Sequence, residues 1–147
     1  MFAKKIEIWK NDKFIKTSAV ATILDEVRKK SFVVITGPSG MGKSTIVKLV
    51  ALQLQETDDY YILPDMCPND IEKYLDPKVK QIYIIDDICG KFSVDQSMIN
   101  SWGRVKCQIL KYREDNKEFR ILGTCRSQIS VSSRFRKLQE RFEGYMI

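Results

Sequence analysis

Residues 37–44 of this 147-residue chain read Gly-Pro-Ser-Gly-Met-Gly-Lys-Ser, and this run with its two neighbours constrains the fold more than any other feature. Before it stands Phe32-Val33-Val34-Ile35, an unbroken apolar run of the kind that forms a strand covered on both faces of a parallel sheet. After it, from Lys43 to about Gln55, the residues Ile46, Val47, Leu49, Val50, Leu52 and Leu54 wrap most of a helix and predict one laid against a sheet. Strand, glycine-rich turn and helix in this order fit GxxxxGK[ST], in which successive backbone N–H groups turn toward phosphate oxygens at a helix N-terminus. In that reading Gly37, Pro38, Ser39, Gly40, Met41, Gly42 and Thr45 belong to the phosphate cradle. Lys43 brings a point charge to the β- and γ-phosphates, and Ser44 offers a hydroxyl to Mg²⁺. An ordinary glycine turn is the alternative, disfavoured by the strand before it and the helix after it.

Two further apolar runs deliver polar residues. Gln81-Ile82-Tyr83-Ile84-Ile85 reads as a strand ending in a pair of carboxylates, Asp86 and Asp87, and the carboxyl edge of a parallel sheet is where metal and phosphate sites are built. Asp86 is expected to hold Mg²⁺ through water. For Asp87 two readings stand: it polarises an attacking water, or it ends the strand in a turn. Arg120-Ile121-Leu122-Gly123-Thr124 is the third run, followed by Cys125 and Arg126. Arg126 either reaches a γ-phosphate and reports its presence, or serves as a surface or structural ion pair. Thr124 positions water or supports Asp86. Asp87-Ile88-Cys89-Gly90 mimics the DxxG of a GTPase, but Asn116-Lys117-Glu118-Phe119 puts Phe119 where a guanine-reading carboxylate is needed, so adenine is favoured.

Composition removes several chemistries. The chain has no histidine, and its four cysteines, Cys67, Cys89, Cys107 and Cys125, show no CxxC spacing, which excludes a zinc set and every His-dependent nucleophile or base. Cys89 and Cys125 flank the polar clusters, so redox control and simple core packing are both open for them. The net charge of +6 is spread as basic flanks around an acidic middle. Arg134, Arg136, Lys137 and Arg141 would suit a nucleic acid, but Phe135, Leu138 and Phe142 share their segment at helical spacing. That pattern predicts an amphipathic helix with solvated charges, and nucleic acid is disfavoured as a partner. No apolar run approaches the ~18 residues of a membrane crossing, and the chain is expected to be cytoplasmic.

The organisation follows. Residues 1–147 are expected to form a single domain, with a leading segment and helix over 1–30 and a nucleotide-binding core over 31–147. Ile6 to Phe14 reads as extended, and Thr17 or Ser18 caps a helix to about Lys30 whose Val20, Ile23, Leu24 and Val27 share one face. Tyr60-Tyr61-Ile62-Leu63 adds a strand, and helix-compatible stretches lie near Asn69–Leu75 and Asp95–Tyr112. The alternation is βαβ, hence a parallel sheet in a three-layer α/β/α fold. Gly144-Tyr145-Met146-Ile147 looks like a strand just starting, so the fifth strand is expected to be incomplete and the core C-terminally truncated.

These motifs, in this order, resemble the additional-strand branch of P-loop NTPases. More closely, the chain resembles the STAND clade of signal-transduction ATPases, in particular the third "novel STAND" NTPase family. The resemblance rests on Trp9 and Phe14, on Phe32 to Thr45, on Tyr83 to Phe92, on Trp102, and on Thr124-Cys125-Arg126-Ser127-Gln128. It implies a sheet of order 5-1-4-3-2 and the use of ATP with Mg²⁺ as a switch, with slow, weak ATPase activity as a timer and homo-oligomerisation of a longer protein. It gives Lys43, Ser44, Asp86 and Arg126 the roles argued above and puts Asp87 in the second-acid place. Trp9 to Thr17 would border the adenine, although Trp9 and Phe14 equally suit a core. A nucleotide-binding scaffold without turnover and a nucleic-acid-dependent ATPase are the rival functions; a small-molecule phosphotransferase is disfavoured, as no Arg-rich lid follows the second strand.

Overall fold

The computed structural model describes residues 2–11, 18–37, 42–88, 96, 97, 100–104, 111, 118–126, 145 and 146. Ala3–Asn11 is a helix, α1, which corrects the extended segment expected over Ile6 to Phe14; residues 12–17 lie outside the described residues. Ile6 and Ile8 would share a face in a strand, yet Ile6 is 5% exposed and Ile8 55%. Ile6 instead packs into the core shared with α2 and α3, while Phe2, just ahead of the helix, joins the opposite core with its ring 5.7 Å from Tyr74. Ala3, Lys4, Lys5, Glu7 and Lys10 are good helix formers, so local preference agrees with this packing.

Ser18–Lys29 forms α2, with Val20, Ile23 and Val27 buried as their spacing requires. Phe32–Gly37 is β1 and Lys43–Asp58 is α3. The apolar wrap of α3 resolves into a buried stripe, Val47, Val50, Ala51 and Leu54, flanked by partly buried Ile46, Leu49 and Leu52. The chain continues through β2 (Tyr61–Leu63), α4 (Pro68–Tyr74), β3 (Gln81–Ile85), β4 (Phe119–Arg126) and β5 (Tyr145–Met146). Cys67 caps α4 and Asp70 returns a bond to the Cys67 N–H at 2.9 Å, so a helix of two turns starts where Pro68 fixes its first residue. Residues 100–104 are helical within the stretch expected over Asp95–Tyr112; most of that stretch, and the basic segment 134–142, lie outside the described residues.

The sheet is parallel with order β2-β3-β4-β1-β5. Its central four strands follow the expected order, and β5 joins β1 through two residues, opposite Val33 and Val34. Strands β1, β3 and β4 are buried on both faces, and their side chains alternate between two cores. Phe32, Val34, Tyr83, Ile85, Phe119 and Ile121 face one, with Ile71 of α4 and Trp102. Val33, Ile35, Ile82, Ile84 and Leu122 face the other, with α2 and α3. Three layers result, and burying each such Val, Ile or Leu contributes about 1.5–3 kcal/mol before the entropy of ordering is subtracted.

Candidate functional site

The register of the parallel strands decides what meets at their carboxyl ends. Gly37 of β1 lies opposite Arg126 of β4, and Ile85 of β3 lies opposite Gly123. The next residue of β3's chain, Asp86, therefore emerges beside Thr124, while the chain leaving β1 passes into α3. Between these ends is a cleft of about 280 Å³. It is lined by Gly42, Lys43, Ser44 and Thr45 at the start of α3, by Asp86 and Asp87 after β3, and by Thr124 and Arg126 of β4. The structure thus brings together the candidate residues Lys43, Ser44, Thr45, Asp86, Asp87 and Arg126 that sequence alone had marked on three separate segments. Pro38, Ser39, Gly40 and Met41 lie outside the described residues, as do Phe14 and Cys89.

Gly42 precedes α3 with φ 74°, in the left-handed region, and a Cβ there would meet nothing within 4 Å. Glycine is required at this position by backbone conformation and not by space. The turn aims the first N–H groups of α3, which have no intrahelical acceptor, toward the cleft.

At the centre of the site lies Asp86. The Ser44 hydroxyl stands 3.4 and 3.5 Å from its two carboxylate oxygens. The Thr124 hydroxyl donates to Asp86 Oδ1 at 2.9 Å and accepts from the Asp87 N–H at 2.9 Å. Asp87 itself has φ 50°, and its carboxylate is 3.7 Å from Arg126 Nε. Ile88 completes the turn: its N–H donates to the Thr124 carbonyl at 2.8 Å, and its own carbonyl accepts from Trp102 Nε1 at 3.0 Å. Trp102 is fully buried, with its ring edge-on to Phe32 at 5.6 Å. Its part in holding the acid turn was not readable from the sequence, because nothing in residue spacing relates Trp102 to Ile88.

Cys125 is buried in the core, and burial first, then the Asp87 charge, pushes its thiol up to about 12 against a partial offset from Lys43. It stays a protonated thiol at neutral pH and is core, not a reactive centre. The remaining chemistry is oxygen chemistry. A hydroxyl and a carboxylate facing each other beside a lysine are the donors a hard cation with phosphate oxygens requires, and they fit Mg²⁺. Among the described residues no cluster of three His, Cys, Asp or Glu side chains is arranged to hold a metal ion.

Comparisons with known proteins bear on the family and the fold. The family model described as Novel STAND NTPase 3 matches residues 14–145. No curated protein matches the chain at a significant level. Among solved structures, a DNA replication initiation factor superposes with a TM-score of 0.53 at 16% identity, over 95% of this chain and 48% of that one. The ORC2 protein of Aeropyrum pernix, solved as ADPNP–ADP complexes, gives 0.53 at 9% identity, over 93% and 49%. A structure addressing katanin self-assembly gives 0.50 at 17% identity, over 93% and 52%. The chain spans about half the length of these proteins, and at such identities the likeness speaks for the fold alone. Among the described residues no helix is long and apolar enough to cross a membrane.

Proposed function

Because the chain belongs to the Novel STAND NTPase 3 family, we propose that it binds ATP and ADP with Mg²⁺ and works as a nucleotide-dependent switch with slow ATP hydrolysis. The observation that carries this reading is the convergence of α3's start, the tandem acids and Arg126 on one polar cleft. Lys43 and the N–H groups of the segment Gly37 to Thr45 bind the phosphates. Ser44 and Asp86 hold Mg²⁺, which when bound supplies positive charge to the phosphate oxygens. Asp87 orients the attacking water and accepts its proton, and Arg126 exchanges its contact with Asp87 for one with the γ-phosphate. The ADPNP–ADP complexes of the A. pernix ORC2 protein support an adenine nucleotide. Katanin self-assembly supports a homo-oligomer for a longer protein carrying this domain. The free thiols of Cys67 and Cys125 suit the reducing cytoplasm.

A second reading, a nucleotide-binding scaffold without turnover, is favoured by one observation: Arg126 Nε stands 3.7 Å from the Asp87 carboxylate that would have to act as base. Calorimetric titration of ATP, ADP and GTP with Mg²⁺ tests the binding. The parent is expected to prefer adenine nucleotides, and Lys43→Ala to weaken them by about 100-fold or more with an unchanged thermal midpoint. A parent that binds neither ATP nor ADP would overturn the reading. Phosphate release at saturating ATP then separates the switch with turnover from the scaffold.

A further inference from the structure

Asp87 and Ile88 form a turn whose shape is imposed from β4. Asp87 has φ 50°, in the left-handed region that aspartate enters more readily than most L residues and that Asp59 and Asp65 also adopt; at Asp87 the conformation is accompanied by bonds from β4. Thr124, 38 residues further along the chain from Asp86, supplies those bonds. Its hydroxyl has one proton, and that proton goes to Asp86 Oδ1. The same oxygen accepts the Asp87 N–H, and the Thr124 carbonyl accepts the Ile88 N–H. Ile88, wholly buried, closes over Gly123, where a Cβ would come within 2.9 Å of Ile88 Cδ1 and 3.3 Å of the Ile85 carbonyl. The Trp102 indole holds the Ile88 carbonyl from the far side. Among the described residues, the backbone groups of the turn are thus bonded by Thr124 and Trp102, and Gly123 leaves the room that Ile88 fills.

We propose that Thr124 is the positioning residue of the tandem acids: its single hydroxyl orients the Asp86 carboxylate toward Ser44 and holds Asp87 in the left-handed turn that points its carboxylate along the cleft toward Arg126. This deepens the nucleotide-binding reading and rests on it. Of the two readings open for Thr124 in the sequence, it follows the support of Asp86, to which the hydroxyl proton is donated. Thr124 acts through the two aspartates. It is 2% exposed, and its replacement by valine keeps the shape while removing both hydroxyl bonds.

The test has two readouts on the full chain. In the nucleotide-free protein, the Asp87 amide is followed by hydrogen exchange in NMR spectra. It is expected to exchange slowly in the parent and in Thr124→Ser, and at least about tenfold faster in Thr124→Val. Second, the affinity of a fluorescent ADP analogue is measured with Mg²⁺ and with EDTA. Thr124→Val is expected to lower the Mg²⁺-dependent gain by about 10–100-fold while leaving the EDTA affinity unchanged, and Thr124→Ser to restore it to within a few-fold. A merely structural role would depress both affinities together and overturn the proposal. Fast exchange of Asp87 in the parent would overturn it even if Thr124→Val failed to fold. A parent that binds no nucleotide would sink the nucleotide reading while the exchange measurement still decides the anchoring of the turn.

Discussion

The two edges of the sheet are built from the same strands and hold their polar groups in opposite ways. At the amino edge the groups close on each other. Arg120 donates to the Val27 carbonyl at 2.8 Å and the Arg28 carbonyl at 3.3 Å, where α2 ends. Arg28 grips Asp58 through Nε at 3.2 Å and Nη2 at 3.0 Å, and that guanidinium holds the Asp58 carboxyl below its usual range. The Tyr60 hydroxyl donates to Glu118 at 2.9 Å. At the carboxyl edge, Ser44 stands 3.4 Å from Asp86 and Arg126 stands 3.7 Å from Asp87, around an open cleft. One edge satisfies its polar groups within the protein. The other holds charged groups of both signs around the cleft, with the Ser44–Asp86 and Arg126–Asp87 contacts at longer spacing. On the proposed function, stability rests on the first edge and nucleotide binding on the second.

Substitutions at the two edges should therefore separate stability from binding. The largest effect expected at the amino edge is that of Arg120→Met, which keeps the side-chain stem but removes the bonds to the end of α2. A loss of about 2 kcal/mol in denaturant unfolding, with nucleotide affinity unchanged, is expected. A parallel loss of affinity would show that the edges are coupled and break the comparison.

Two glycines of the carboxyl edge, Gly123 and Gly42, sharpen it further. Gly123→Ala forces a methyl against Ile88 and the Ile85 carbonyl, so about 1.5 kcal/mol of stability should go, with displaced resonances of Asp86 and Asp87. Gly42→Ala meets no atom and is limited to the left-handed backbone penalty, about 1 kcal/mol. If the two variants lost equal stability and left the acid resonances alike, the crowding at Gly123 would be refuted as the reason for its glycine.

The smallest effect at neutral pH belongs to Tyr60→Phe, about 0.5 kcal/mol for one hydroxyl bond. Its signature is at alkaline pH. Burial first, with Glu118 adding to it and Arg120 opposing, raises the Tyr60 phenol from 10.0 to about 12. Below pH 10 both folded and unfolded chains keep the proton, so the contribution is intact. Between 10 and 12 the unfolded chain releases its proton first, and stability falls as pH rises. Tyr60→Phe should flatten that part of the curve, as read by circular dichroism during alkaline unfolding. An unchanged slope would place the alkaline loss elsewhere, with Cys125 next to be tested.

Much of this was legible beforehand. The strands β1, β3 and β4 were readable because central parallel strands are apolar on both faces, so Phe32 to Ile35, Gln81 to Ile85 and Arg120 to Thr124 stand out without any period. Helix α3 was readable because a phosphate-loop pattern fixes where a helix starts. Helix α1 was not: Ile6 and Ile8 satisfy the period of a strand, and only tertiary packing, which buries Ile6 beside α2 and α3 and leaves Ile8 exposed, decides against it. The site divides in the same way. Lys43, Ser44 and Asp86 announce themselves by position relative to a strand or a glycine turn, which is local information.

By itself the sequence determined the layers, the parallel strands and the types of group brought to the carboxyl edge, because periodicity and turn chemistry act over a few residues. Tertiary structure alone decided what those groups do to one another. The left-handed turn at Asp87, the two-way hydroxyl of Thr124, the glycine at 123 and the indole of Trp102 beneath Ile88 all depend on the register between β3 and β4. The contacts concerned join residues from 14 to 38 positions apart, and no local preference encodes such a distance. They exist because closing the sheet removes the strands' apolar faces from water, and that burial brings the polar ends of the strands together.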